Sequence, residues 1–375
     1  MINKERLIIL LRRLIRIRSE NPPGNEVEIA SFVKRYLEGF GLKGRIYNFA
    51  KNRSNIVALL KADSPGAKTI LISPHLDTVP AGRGWKFAPF AGIVRKGRVY
   101  GRGATDCKCN LAVAMEALNS LVEGKVRIEN NILFAATADE ESGSDLGLAP
   151  LLKKDILKAD YALILDADEF DVVIAQKGLV HFKVFVCGRK AHGAYPWKGV
   201  NAINIAAAII KDLEKYKFRY KKHPLLRQPT VSIGTIRGGD KVNIVADWCE
   251  FEVDLRYLPA MDVSAVMSDF KKLIGAKAKS FKIRVDGLQG PYEIPGGHCL
   301  VSSLFAVWRK YQPKVKLKGS EGATVITFFK EKNIPAVATG FGSHGCAHIN
   351  DEYVKTDNLF RGAKALEDFL LRKAC

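Results

Sequence analysis

Apolar positions in the first half of the chain fall in short continuous runs at residues 55–60, 69–73, 131–137 and 161–165, which read as buried strands. Residues 110–123, between the second and third runs, read as a helix. Strands alternating with helices predict an α/β domain with a mostly parallel sheet flanked by helices. Near Gly178 the pattern changes. Residues 180–186 alternate apolar and polar, as a half-exposed strand does; 201–213 read as a helix, and 231–236, 249–255 and 281–285 as further strands. An α+β domain with one open sheet face is expected there. After Gly290 and Pro291 the first pattern returns, with residues 336–339 as a late buried strand. The predicted organisation is a large domain formed by residues 1–178 and 291–375, interrupted by an inserted domain at 179–290.

Residues 7–17 are apolar but cut by Arg12, Arg13 and Arg16, which is unlike a signal peptide. They read as a basic amphipathic helix that packs on its own domain or, as the alternative, on a membrane surface. No run approaches the roughly 18 apolar residues that a bilayer crossing needs. Hydrophobic residues at 47% and charged residues at 26% exclude a disordered or fibrous chain. Lys and Arg number 59 against 39 Asp and Glu, a net charge of +20. Such an excess invites a nucleic-acid partner, yet the charge is dispersed and aromatics do not interleave with it as a base-stacking platform requires. A basic proteome, or attraction of small anionic substrates, is the simpler reading. The seven cysteines form no disulfide-framework spacing and are expected to be reduced thiols of a soluble cytoplasmic protein.

The polar residues that follow the strands carry the chemistry, because ligands of such sheets sit at the carboxyl ends of strands. Residues 69–73 lead to His75 and Asp77, and a glycine-rich turn leads to Asp106. Residues 131–137 lead to Asp139, Glu140 and Glu141, residues 161–165 to Asp166 and Asp168, and residues 336–339 to His344, Cys346 and His348. Each alone has an ordinary explanation: a hydrogen-bonded core histidine, a helix cap, a solvated acidic turn. Together they gather imidazoles and carboxylates at one sheet edge. That donor set suits zinc and similar divalent ions, and the acids would repel one another without a cation. Cys107 and Cys109 lack the spacing and the second pair that structural zinc prefers.

In this order and spacing the motifs resemble the M20 metallopeptidases, the family of succinyl-diaminopimelate desuccinylase, acetylornithine deacetylase, aminoacylase and glutamate carboxypeptidase. The resemblance covers nearly the whole chain. It begins with Ile17-Arg18-Ser19-Glu20-Asn21-Pro22-Pro23-Gly24 and continues through Ala191-His192-Gly193, Gly238-Gly239 to Asn243, and Asp254-Leu255-Arg256. It implies a zinc-exopeptidase-like catalytic domain with an inserted lid and dimerisation domain. It also implies two divalent ions, zinc first with cobalt or manganese as alternatives. Asp106 would bridge them, with His75 and Asp166 on one side and Glu141 and His348 on the other; Asp168 competes for the place of Asp166. Asp77 matches the acid that orients the ligating imidazole, and Glu140 the general base. His192 matches a histidine that reaches the partner subunit's site to stabilise the oxyanion, which implies a homodimer. Tyr195, Asn243 and Arg256 match substrate-holding positions.

One segment departs from the family pattern. Where many relatives carry an aspartate and an arginine that grips a substrate carboxylate, this chain has Gly322 and Thr324. A substrate carboxylate would need another cation, with Lys177 or Arg256 as candidates. The expected activity is hydrolysis of the amide bond of small N-acyl amino acids. The alternatives are a carboxypeptidase or dipeptidase of the same family and, remotely, a non-catalytic or nucleic-acid-binding protein. Neither nucleic acid nor membrane is expected as a partner.

Overall fold

The computed structural model describes residues 1–374. The chain divides into two compact units, residues 1–174, 294–318 and 328–375 forming one, and 175–293 with 319–327 the other.

The first unit is built on a twisted mixed sheet. Asn131–Ala136, Thr69–Ser73, Tyr161–Leu165 and Ala336–Thr339 lie side by side and parallel. Arg53–Leu60 and Gly44–Ala50 extend one edge antiparallel, and Val172 and Val173 pair antiparallel at the other. The parallel strands are almost wholly buried, which explains why they read as continuous apolar runs. Because they are parallel, their carboxyl ends share one edge. The residues after those ends are therefore brought together however far apart they lie in the chain.

Helices Lys4–Arg16, Lys108–Glu123 and Thr356–Leu370 pack on one another. The first decides between the two readings of the N-terminal segment. Leu7, Leu10, Leu11, Leu14 and Ile15 are fully buried, each contributing about 2 kcal/mol by area. Arg6 reaches Glu116 at 2.7 Å and Glu123 at 2.7 Å on the second helix. The apolar stripe is thus occupied by the unit's own core rather than offered to lipid. Among the described residues no helix is long and apolar enough to cross a membrane.

A separate three-stranded sheet, ordered Tyr353–Lys355, Arg98–Tyr100 and Ile93–Arg95, stands beside these elements in the first unit. The turn that carries Asp106 leaves this small sheet. Asp106 therefore reaches the site from a turn off the small sheet and not from the edge of the central one.

The second unit is a four-stranded antiparallel sheet ordered Thr230–Gly238, Trp248–Tyr257, Gly178–Cys187 and Phe281–Gln289. Val180, Phe182, Val184 and Val186 alternate inward and join Phe251, Val253 and Leu255 under helices Ala202–Glu214 and Val263–Lys277. The intervening positions face outward, where Lys183 meets Glu252 at 2.8 Å. This accounts for the period-2 pattern.

Cysteine usage differs from expectation at one position. Cys107, Cys109, Cys187, Cys249 and Cys346 are free, but Cys299 is disulfide-bonded. Spacing along the chain carries no record of which thiols the fold brings together. Cys375 lies outside the described residues.

Candidate metal centre

Asp106 is the pivot of the site. One of its carboxylate oxygens lies 3.0 Å from His75 Nε2, and the other lies 3.0 Å from His348 Nε2. His75 Nε2 is also 3.7 Å from Asp166, and His348 Nε2 is 3.3 Å from Glu141. Two donor groups result, each with its ligand atoms within 4.8 Å of one another: His75, Asp106, Cys107 and Asp166, and Asp106, Glu141 and His348. A carboxylate that offers one oxygen to each of two groups is the arrangement of a bridging ligand.

Asp77, fully buried, organises the first group from behind. His75 Nδ1 lies 3.0 Å from the Asp77 carbonyl oxygen and 3.4 Å from its carboxylate. With the proton on Nδ1, the lone pair of Nε2 points at Asp106, as a metal-ligating imidazole requires. The same carboxylate accepts from the backbone N–H of Glu140 and of Glu141, both at 3.1 Å, and from Asn21 Nδ2 at 2.9 Å. Burial works against its charge, but the hydrogen bond to His75 keeps its carboxyl below the usual range.

The acidic triplet divides by role. Asp139 turns inward, where Arg53 donates to it at 2.7 Å and Leu146 N–H at 2.9 Å. Its left-handed backbone, φ 67°, begins the short 3₁₀ turn Glu140–Ser142 that carries the next two acids. Glu141 joins the second donor group, and its Oε1 is buried without a hydrogen-bond partner. An orphaned carboxylate oxygen is costly unless a cation satisfies it.

The charges in the cluster respond to one another. Burial, then Asp166, Asp106 and Glu141, push the Glu140 carboxyl well above the ordinary carboxylate range. Burial likewise raises Glu141. Hydrogen bonds to Asp106 and Glu141 lift His348 to about 10. Burial opposes the charge on Asp106, yet its hydrogen bonds to His348 and His75 hold its carboxyl low. Acids that raise one another around two imidazoles form a site short of positive charge. The donor set and the orphaned oxygen both fit divalent cations.

Two supporting residues escaped the sequence reading. Glu352, fully buried, accepts from the N–H groups of Gly103 at 3.1 Å, Thr105 at 2.7 Å and Asp106 at 3.0 Å. Arg102 pairs with it at 2.7 Å, so this acid shapes the turn that presents Asp106. Arg53 joins Glu26 at 2.9 Å and Asp139 behind the acidic loop. Arg53 stands among polar residues just before the apolar run at 55–60, so its local sequence carried no signal for this role. Asp168 belongs to neither donor group; it faces His344 at 3.9 Å, and burial and Asp106 raise its carboxyl to about 7.

The remaining candidates lie in the second unit. His192 is exposed; its Nδ1 accepts from Ala194 N–H at 3.1 Å, and its segment forms a bridge to Ile244 next to Asn243. Tyr195 stands 5.8 Å from the His192 ring. Arg256 is held by Asp254 through two hydrogen bonds, 2.7 and 2.9 Å. Lys177 is no free cation. It is 2% exposed, paired with Glu321 at 2.5 Å and bonded to the Gln228 carbonyl at 2.6 Å. Glu321 belongs to the segment that departs from the family pattern, so the acid that neutralises Lys177 comes from that stretch itself. Thr324 is locked by Gln176, which accepts from its hydroxyl at 2.8 Å.

The model of peptidase family M20/M25/M40 matches residues 71–372. An uncharacterized metallohydrolase of Methanocaldococcus jannaschii is 27% identical over 414 residues, covering 98% of this chain and 99% of that protein. Among solved structures, the aminopeptidase PepT of Bacillus cereus aligns with a TM-score of 0.82 at 25% identity, covering 98% of each chain. An M20 family metallo-carboxypeptidase of Sulfolobus solfataricus aligns with a TM-score of 0.81 at 21% identity, over 97% of this chain and 98% of that one.

Proposed function

The chain belongs to peptidase family M20/M25/M40, a metallohydrolase acting on C–N bonds, and from that premise we propose that it cleaves the amide bond of small N-acyl amino acids or short peptides. The observation that carries this reading is the shared Asp106, with one oxygen toward each of two donor groups. His75 and Asp166 would hold one ion, Glu141 and His348 the other, with Asp106 contributing to both; zinc is the first candidate, with cobalt and manganese as alternatives. Bound there, divalent cations would supply acidification of a water and polarisation of a substrate carbonyl.

The chain's own residues do the rest. Glu140 is displaced from the ligand set by its neighbour Glu141 and keeps its carboxylate for proton transfer. It takes the proton of the attacking water and delivers it to the leaving amine. Asp77 fixes the ring of His75 and the backbone of the acidic loop at once. His192 of a second copy supplies a donor to the oxyanion, and Tyr195, Asn243 and Arg256 hold the substrate. The exposed apolar side chains of Trp197, Ile236 and Leu288 in the second unit support a homodimer joined there.

Short peptides are the substrate class that the likeness to an aminopeptidase and a carboxypeptidase favours. Lys177 is buried and engaged by Glu321; Arg256 is also paired, with Asp254, but its side chain is a quarter exposed, which makes it the better placed of the two for a substrate carboxylate. The test is hydrolysis by protein stripped of metal and then given Zn²⁺, Co²⁺ or Mn²⁺, on a panel of N-acetyl, N-formyl and N-succinyl amino acids, dipeptides and tripeptides. Amine release restored by metal is expected, peptides leading. Protein that binds no metal, or that turns over the panel equally well after chelation, would reject the reading.

A further inference from the structure

Cys107 follows the bridging aspartate directly, and its thiol is fully buried. Its Sγ accepts from the His75 N–H at 3.2 Å and lies 3.6 Å from the His75 carbonyl. It stands in the first donor group with the ligand atoms of His75, Asp106 and Asp166. The second group, Asp106, Glu141 and His348, contains no sulfur. The two halves of the centre are therefore chemically unequal. One offers an imidazole nitrogen, two carboxylates and a thiol; the other offers one nitrogen and two carboxylates.

We propose that Cys107 is a fourth protein ligand of the ion held by His75, Asp106 and Asp166, which makes that position a thiolate site selective for soft or borderline metals. The inference rests on the dinuclear reading given above and deepens it. Ligation forms a sulfur–metal bond and releases the thiol proton to water. Thiolate selects zinc, cobalt and cadmium over manganese, whereas an oxygen-rich site accepts manganese. The first position then discriminates among metals and the second does so less. The nearby thiol of Cys346, 3.8 Å from the His344 carbonyl, belongs to neither group and serves as the control.

The test uses full-length protein loaded with two equivalents of Co²⁺ and, separately, Zn²⁺. Expected for the unmodified chain are a near-ultraviolet thiolate-to-cobalt charge-transfer band and a sulfur scatterer about 2.3 Å from zinc by X-ray absorption. Cys107→Ser should lose both while still binding metal, and its preference for Cd²⁺ over Mn²⁺ should fall at least ~10-fold. Cys346→Ser should keep both signals. Two bound cobalt ions without the band, or a band that persists in Cys107→Ser, would overturn the proposal. If Cys107→Ser fails to fold, the X-ray absorption of the unmodified protein decides alone: no sulfur at zinc overturns the ligand. A protein that binds no cobalt overturns the dinuclear reading itself.

Discussion

Glu140 and Glu141 are neighbours of identical chemistry to which the proposed function gives different tasks. Asp77 accepts from both backbone N–H groups, so the turn is fixed and the two side chains leave it in different directions. Glu141 meets His348 at 3.3 Å, and Glu140 makes no such contact with either imidazole. Glu140→Gln should therefore retain its metals, measured by elemental analysis, and lose turnover by ~10²–10⁴-fold. A variant with near-normal turnover would remove Glu140 from the role of base. Behind the loop, burial and then the charge of Asp77 raise the Glu26 carboxyl to about 7 despite Arg53. A carboxyl raised on folding contributes stability that is full below its unfolded value near 4.5 and lost as pH rises through about 7. Stability measured by denaturant should accordingly fall between pH 5 and pH 8 on this account. Glu26→Gln should flatten that fall; an unchanged profile would show that Glu26 does not titrate there.

At the scale of elements, the sheet positions the site and the N-terminal helix braces it. Helix Lys4–Arg16 begins with Asn3, whose side chain accepts from Arg6 N–H, and ends with Arg13 and Arg16 in its last turn, where cations suit the helix dipole. Its apolar stripe rests against the helix Lys108–Glu123, which starts directly after Asp106 and Cys107. Leu11 is fully buried. Leu11→Ala should cost roughly 2–5 kcal/mol in denaturant unfolding and leave the number of bound metals unchanged. A loss below about 0.5 kcal/mol would mean that the helix is not part of the cooperative core. The turn that carries Asp106 leaves the small sheet and is tied by Glu352, a residue beyond the last ligand in the chain.

At the scale of the molecule, the first unit gathers Asp77, Asp106, Glu140, Glu141 and Asp166 around two imidazoles, an arrangement that repels itself without cations. Ions that bind only the folded chain stabilise it by mass action, about 2.7 kcal/mol at a concentration 100 times Kd. Chelation should therefore lower Tm, and Zn²⁺ should restore it. An unchanged Tm after demonstrated metal loss would show that the acids are accommodated without ions.

Composition, apolar periodicity and residue type are local properties, and they were sufficient for the α/β class, the change of pattern near Gly178 and the acids and histidines at strand ends. Parallel strands place those ends at one edge, so a correct strand reading brings most of the candidate ligands together. The family follows from the same residues. What the chain order could not contain is distance between residues remote in sequence. It could not show that Asp139 is taken up by Arg53 while its neighbours face the site, or that Glu321 occupies Lys177. Nor could it show that Glu352 shapes the turn of Asp106, that Cys299 is disulfide-bonded, or that Cys107 joins one donor group and not the other. Each of these depends on where side chains meet after packing. A buried charge or thiol takes whichever partner the fold brings within a few ångströms, and nothing in its local sequence encodes that choice.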